Sequence, residues 1–274
     1  MNITICGYGF VGSSMGHLCK KNNIKFNIYD VQKKEDCSEN LFTDLTELVS
    51  FNETSNGPHF YFICVPTPSK QSGECNTDIV TSLVKDLNNL CNKESYFIIK
   101  STVQPGTCRR LNLNNVVFVP EFLTEANAQS DLYNAKFNLI GTFDGLQNDN
   151  LYNLFKELYK HNKDIQLKTD KYETYEIFKY TVNCFLATKV WFFNEIYEIC
   201  CNFGVDYDNF RQLLEYDNRI GLSHTKVPGP DSQFGFGGSC FTKEMKALCH
   251  LQESLNIPND VLISILTRNK QQRH

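Results

Sequence analysis

What the sequence lacks narrows its class first. No hydrophobic run approaches the ~20 residues that a bilayer-spanning helix needs, because the apolar segments are short and broken by polar residues. The N-terminus opens on a strand pattern instead of a signal peptide, so no membrane association is expected and a cytoplasmic location is. An excess of positive charge is also missing. The 27 Lys and Arg against 31 Asp and Glu give a formal net charge of -4, which offers no electrostatic case for nucleic acid as a partner. Internal repeats and low-complexity tracts are absent. Of the 12 cysteines, none forms a Cys-x-x-Cys pair and none has a histidine spacing suited to zinc, so no metal site and no disulfide framework are expected. Cys6, Cys64, Cys184 and Cys200 lie inside apolar runs and read as reduced core residues. With 41% hydrophobic residues in 274, the chain can bury a substantial core, as one large domain or two smaller ones.

The first organised stretch is a short buried strand over residues 2–6. It runs straight into Gly7-Tyr8-Gly9-Phe10-Val11-Gly12 and then a helical pattern to about Asn22. A second strand, residues 26–29, ends at Asp30, about 20 residues beyond the glycines. Each glycine has a physical reason to be there. Gly7 makes a tight turn, Gly9 lets the backbone come close to a pyrophosphate, and Gly12 lets the helix pack on the strand. Asp30 is placed to bond ribose hydroxyls and repels a 2′-phosphate, which favours NAD over NADP. Lys33 and Lys34 nearby weaken that preference. A glycine-rich turn with an ordinary surface aspartate is the bland alternative.

Further β-rich runs at 60–65, 96–100, 116–119 and 138–141 alternate with helical segments such as 78–90, the pattern of a doubly wound parallel α/β sheet of Rossmann type. Ligands of such sheets bind beyond the carboxyl ends of the strands. Polar or special residues sit there in this chain: Pro66-Thr67-Pro68 after one strand, Ser101-Thr102-Val103-Gln104-Pro105-Gly106-Thr107 after the next, and Pro120-Glu121-Phe122-Leu123-Thr124-Glu125 after a third.

From about 171 to 203 the pattern becomes one long helix, apolar around most of its circumference, so it wants partners on several sides. Glu176, Lys179 and Asn183 recur at spacings of three and four and share a face, either a solvated stripe or a polar site. The boundary divides the chain into residues 1–170, an NAD-binding domain, and 171–274, an all-helical domain. After a helical segment at 208–216 comes a long loop containing Arg219, Phe234, Gly235, Phe236 and Gly237, then Gly238-Ser239-Cys240. Helical patterns at 244–255 and 261–269 close the chain. Loops of that length inside a domain are often functional. Glycines permit turns that other residues cannot make, and a thiol at a helix N-terminus meets a positive dipole that favours thiolate. Cys240 is therefore a candidate nucleophile, although most cysteines in reduced proteins are merely small buried hydrophobes.

Together these motifs resemble the UDP-glucose/GDP-mannose dehydrogenase family. The likeness runs in family order through Gly-Tyr-Gly-Phe-Val-Gly at 7–12, Cys-Val-Pro-Thr-Pro at 64–68, Lys-Ser-Thr-Val-Gln-Pro-Gly-Thr at 100–107 and Pro-Glu-Phe-Leu-Thr-Glu at 120–125. It continues through Lys179 with Asn183, Asn194-Glu195, Arg219-Ile220-Gly221 and Gly-Phe-Gly-Gly-Ser-Cys-Phe at 235–241. The resemblance implies oxidation of the C6 alcohol of a nucleotide sugar to a carboxylate with two NAD, UDP-glucose being favoured over GDP-mannose. It implies Cys240 as nucleophile, Lys179 and Asn183 as oxyanion stabilisers, Glu121 as acid/base, and Thr102 with Glu244 as positioners of water. Glu125 would support the site, and Arg219 would reach substrate in a neighbouring subunit. The cofactor set so implied is Gly7, Tyr8, Gly9, Phe10, Val11, Gly12, Asp30, Lys33, Val65, Pro66, Thr67, Ser101, Thr102 and Glu125. The substrate set is Glu121, Phe122, Leu123, Lys179, Asn183, Arg219, Phe234, Gly235, Phe236 and Gly237. The long helix would be the core of a homodimer.

The chain departs from the pattern in three places. The family continues Cys-Phe-Pro-Lys-Asp where this chain has Cys240-Phe241-Thr242-Lys243-Glu244, and Ala126 stands where glycine is usual. The longer acid moves a carboxylate by roughly 1.5 Å, and a misplacement of about 1 Å can cost on the order of a hundredfold in rate. Family members also carry a third domain that covers the nucleotide sugar, and the chain stops where that domain would begin. The competing expectation is therefore a weak or inactive homologue that binds NAD or a partner. A dehydrogenase of the 3-hydroxyacid type is a third reading, disfavoured because such chemistry needs no covalent thiol.

Overall fold

Short apolar runs bounded by turn residues form the strands, and amphipathic segments form the helices that cover them. The computed structural model describes residues 1–32, 40–124 and 126–273. Its contacts divide into two units, Met1–Pro68 with Asn76–Lys179, and Ser69–Cys75 with Tyr180–His274.

The first unit is built on strands β1 (Asn2–Cys6), β2 (Asn27–Tyr29), β3 (Asn40–Phe42), β4 (His59–Ile63), β5 (Ser95–Ile99), β6 (Val116–Phe118), β7 (Phe137–Thr142) and β8 (Gln166–Lys171), in one 8-stranded sheet ordered β3-β2-β1-β4-β5-β6-β7-β8. The order reverses between β1 and β4, which opens the crevice where doubly wound sheets hold ligands. Pairing is parallel throughout except at β6 and β7, which meet antiparallel through Phe118 and Gly141. Gly141 allows a close approach there, since a Cβ would lie 3.2 Å from the Tyr172 backbone and 3.3 Å from the carbonyl oxygen of Phe118.

Side-chain alternation sends Ile3, Ile5, Phe60, Phe62 and Ile98 to one face of the sheet. There they pack on Met15 and Leu18 of α1 (Phe10–Lys21) and on Leu151, Leu154 and Phe155 of α6 (Asp149–Leu158). Cys6, Tyr61, Ile63, Phe97 and Ile99 line the other face, against α2 (Leu45–Asn52), α3 (Asp78–Leu90) and Tyr172. Two short helices complete this unit, α4 (Thr107–Leu111) and α5 (Ala128–Tyr133). Fully burying one such Leu, Ile or Phe contributes about 1.5–3 kcal/mol, so these two layers dominate the stability of the unit.

Helix α7 (Tyr172–Asn202) matches the expected long helix. The second unit takes it from Tyr180 onward, followed by α8 (Tyr207–Gln212), a 3₁₀ turn (Leu213–Tyr216), α9 (Ser239–Ser254) and α10 (Asp260–Gln272). Tyr180, Cys184, Ala187 and Trp191 of α7 pack on Met245 and Ala247 of α9 and on Ile265 of α10. No disulfide joins the described cysteines; Cys6, Cys184 and Cys200 are buried as expected, whereas Cys64, at the carboxyl end of its strand, is only partly buried. Among the described residues no helix is long and apolar enough to cross a membrane, and no group of His, Cys, Asp and Glu is arranged to hold a metal ion.

Candidate active site

The glycine turn after β1 is built tightly on its inner side and openly on its outer side. Gly7 has φ +86, and a Cβ there would sit 2.9 Å from the carbonyl oxygen of Cys64. A Cβ on Gly12 would approach the Gly7 carbonyl oxygen to 2.0 Å, whereas one on Gly9 would meet nothing within 4 Å. Helix α1 begins behind Gly9 with no side-chain cap, so its first N–H groups are aimed at the space where a pyrophosphate fits. Phe10 is exposed and Val11 half-buried at this helix start. Asp30 accepts hydrogen bonds from the N–H of Tyr8 at 2.8 Å and of Gln32 at 2.9 Å. Lys33 and Glu125 lie outside the described residues.

Across the switch point, Ser101 Oγ donates to the Val65 carbonyl at 2.6 Å and Thr67 Oγ1 to the Thr102 carbonyl at 2.9 Å. These bonds tie the loops after β4 and β5 together, with Thr67 and Ser101 buried and Pro66 exposed.

Glu121 follows β6 and is mostly buried. Lys179 Nζ donates to its main-chain carbonyl at 2.7 Å and lies 3.4 Å from its carboxylate, whose other oxygen accepts from the Leu123 N–H at 2.8 Å. The same ammonium stands 5.2 Å from the centre of the Phe122 ring. Lys179 is 4% exposed. Burying a charge is costly without such partners, so this pairing gives the cation a fixed place. Glu176, from the face noted in the sequence, proves structural: its fully buried carboxylate accepts from the N–H of Gly106 and Cys108 at the start of α4. Burial raises its pKa above the usual carboxylate range.

In the second unit Cys240 is exposed at the second position of α9, behind Gly238 at φ +75 and with no side-chain cap on the helix. The sequence pattern predicts this helix only from Glu244, but it starts at Ser239, which places the thiol inside its first turn, where the dipole acts. Glu244 lies one turn further on, 1% exposed. Its negative charge, after burial itself, raises the pKa of the Cys184 thiol to about 12. Asn183 is half-buried on α7. Arg219 is exposed and bound by its guanidinium to Asp217 at 2.9 and 2.6 Å.

The glycine loop before Cys240 is held by Asn194, and by Asn269 and Arg273, which sequence reasoning missed. Asn194 Oδ1 accepts from the Gly235 N–H at 2.9 Å, and Asn269 grips Phe236 at both its N–H (2.8 Å) and its carbonyl (3.0 Å). Arg273 pairs with Asp231 and covers Gly237, where a Cβ would fall 2.3 Å from its guanidinium. Phe236 is buried by this clamp and Phe234 remains partly exposed. The Asn194-Glu195 pair was a usable signal for one of these residues; nothing local marks Asn269 or Arg273.

A Rossmann-type sheet with a pyrophosphate-ready glycine turn, joined to a helical unit that presents a thiol, defines a nucleotide-dependent dehydrogenase. The chain belongs to the UDP-glucose/GDP-mannose dehydrogenase family: the family's NAD binding domain matches residues 20–163 and its central domain residues 173–271. NAD is its cofactor, and the turn at residues 7–12 fits it. The UDP-glucose 6-dehydrogenase of Rickettsia bellii is 32% identical over 299 residues, covering 99% of this chain and 67% of the relative. The GDP-mannose 6-dehydrogenase of Pseudomonas syringae is 30% identical, covering 99% and 68%. The chain thus spans about two thirds of the length of these relatives. A UDP-glucose dehydrogenase structure from Pyrobaculum islandicum superimposes with a TM-score of 0.81 at 23% identity, over 98% of this chain and 68% of that one, which speaks to the fold.

Proposed function

We propose that this chain oxidises UDP-glucose to UDP-glucuronate, with Cys240 as covalent nucleophile. The observation that carries the reading is the presentation of Cys240, exposed in the first turn of α9 behind a clamped glycine loop. Bound NAD, held by the glycine turn and Asp30 with Val65, Pro66, Thr67, Ser101 and Thr102, supplies hydride acceptance in both oxidations. The C6 alcohol loses its hydroxyl proton and a hydride to become an aldehyde, and Cys240 Sγ adds to that carbon. Loss of a second hydride leaves a thioester, which water cleaves to a carboxylate and the regenerated thiol. Lys179 and Asn183, four residues apart on α7, stabilise the oxyanion. Glu121 moves protons in the thioester steps, and Thr102 with Glu244 orients the water. Phe122, Leu123 and residues 234–237 bind the sugar nucleotide.

Substrate from a partner subunit is met by Arg219 in a homodimer formed through α7. Phe178, Phe185, Phe192 and Ile199 are exposed at 41, 64, 53 and 52% and recur every seven residues, the seam spacing of packed parallel or antiparallel helices. Sedimentation of Phe185→Asp as a monomer against a wild-type dimer is the expected result, and a monomeric wild type overturns it.

The test of the activity is the NADH yield per UDP-glucose consumed. Two is expected, and Cys240→Ala should abolish it; full turnover by Cys240→Ala overturns the mechanism. A second reading, a homologue that holds NAD without turnover, is favoured by the deeply buried Glu244 in place of a shorter acid. It predicts NAD binding with no NADH formed and indifference to Cys240→Ala.

A further inference from the structure

The carboxyl ends of β4, β5 and β6 carry a buried charge that the catalytic set above does not use. Ile63, Ile99 and Phe118 are in register across the three strands and pack into one core. The next residues are Cys64, Lys100 and Val119, and by strand alternation they turn to the opposite face, where Cys64 and Val119 join the other core. Lys100 is therefore a lysine at a core position, 2% exposed, at the rim of the crevice. Burial and the nearby Lys179 lower its pKa to about 8, while Cys64 and Glu121 act in the opposite direction.

Among the described residues the local charges do not balance. Glu121 is the carboxylate of this cluster, and it is already engaged by the Lys179 ammonium and by the Leu123 N–H. Among the described residues none accepts a hydrogen bond from Lys100 Nζ. Among the described residues two buried ammonium groups thus face one carboxylate, leaving a positive charge and a set of donors for a ligand atom. A lysine that only filled space would have been matched by an apolar residue at no desolvation cost. The acceptor that fits is anionic, and an oxygen developing negative charge on a carbon is of that class.

We propose that Lys100 is a second cation of the oxyanion site, donating from Nζ to the oxygen on the reacting C6 carbon beside Lys179. This rests on the proposed oxidation of a C6 alcohol. The test is calorimetric titration of the whole chain with two UDP sugars, UDP-glucuronate, which bears a C6 carboxylate, and UDP-xylose, which has no C6. Wild type, Lys100→Met and Lys100→Arg are compared, with Lys100→Gln in place of the Met variant should its melting curve show misfolding. The wild type should prefer the carboxylate at least tenfold. Lys100→Met should lose most of that preference with UDP-xylose affinity unchanged, and Lys100→Arg should restore part of it. A preference undiminished in Lys100→Met overturns the role of Lys100 and leaves the proposed substrate standing. A wild type that binds both sugars equally, or neither, overturns both.

Discussion

Asn269→Ala tests whether the glycine loop is held in place from outside or by its own sequence. The amide is 6% exposed and makes two hydrogen bonds to Phe236, one to its N–H at 2.8 Å and one to its carbonyl at 3.0 Å. Alanine removes both partners and leaves two main-chain polar groups buried. Each such orphan costs about 1–3 kcal/mol, and partial relaxation keeps their sum to about 2–4 kcal/mol. Typical domains have about 5–15 kcal/mol in total, so the variant should fold yet unfold at lower urea. Asn202→Ala, whose exposed amide donates at 2.8 Å to the Glu198 carbonyl, serves as control and should change stability by less than about 0.5 kcal/mol. Because Phe236, the residue held by Asn269, lies four residues before Cys240, alkylation of that thiol by iodoacetamide should change in rate as well. A loss below about 1 kcal/mol refutes the energetic claim, and a full loss of stability with an unaltered alkylation rate refutes the link to the thiol.

Gly12→Ala should weaken NADH binding at least about tenfold, which is about 1.4 kcal/mol, because the added Cβ meets the Gly7 carbonyl at 2.0 Å and no rotamer relieves a main-chain clash; unchanged fluorescence titration would contradict this. His59 is 2% exposed and neither ring nitrogen is hydrogen-bonded; burial, with Lys93 and the N-terminus, lowers its pKa against the opposing effect of Glu53. Its folded value lies below the unfolded one, so its effect on stability is absent above the unfolded value of roughly 6.5 and grows as a penalty when pH falls through it. Urea midpoints of wild type should therefore fall more between pH 7.5 and pH 5.5 than those of His59→Phe, and parallel curves would sink the assignment. Glu176→Gln should lose about 1–3 kcal/mol, since one of the two N–H groups at the start of α4 then faces an amide donor; an unchanged midpoint would argue against it.

The fold was legible where period and caps agree. Strand β1 and helices α3 and α7 stand within a residue of their expected bounds, because each combines an unbroken hydrophobic period with a clear turn or glycine at its end. Strands β3 and β8 escape the sequence pattern. Both lie at the edges of the sheet, and β8 reads Gln-Leu-Lys-Thr-Asp-Lys, a solvated polar run that signals nothing until β7 pairs with it. The antiparallel meeting of β6 and β7 is equally invisible, since alternation of strand and helix does not report direction. Within the site, chemistry-bearing residues at strand ends could be named in advance, whereas Lys100 and Asn269 could not. Their roles come from the tertiary surroundings: one is a lysine in a core register, the other an amide reaching a loop more than thirty residues away.

Helix α9 shows how the local and tertiary signals combine. Ser-Cys-Phe-Thr is a poor helix-forming tetrapeptide, which is why the sequence pattern predicts the helix only from Glu244. Gly238, in a backbone conformation that glycine favours, turns the chain so that these residues become the first turn. That one-turn extension puts Cys240 and Glu244 at i and i+4 on a single helix, the thiol exposed and the acid buried against the core of the second unit. The extra methylene of Glu244 is therefore already packed, with Met245 beside it fully buried. Exchanging it for the family's aspartate would not simply restore a carboxylate position, because it would also withdraw a packed methylene, a change that well-filled interiors register. Activity in Glu244→Asp thus depends on how the core around it closes, and any gain from carboxylate placement has to exceed that loss.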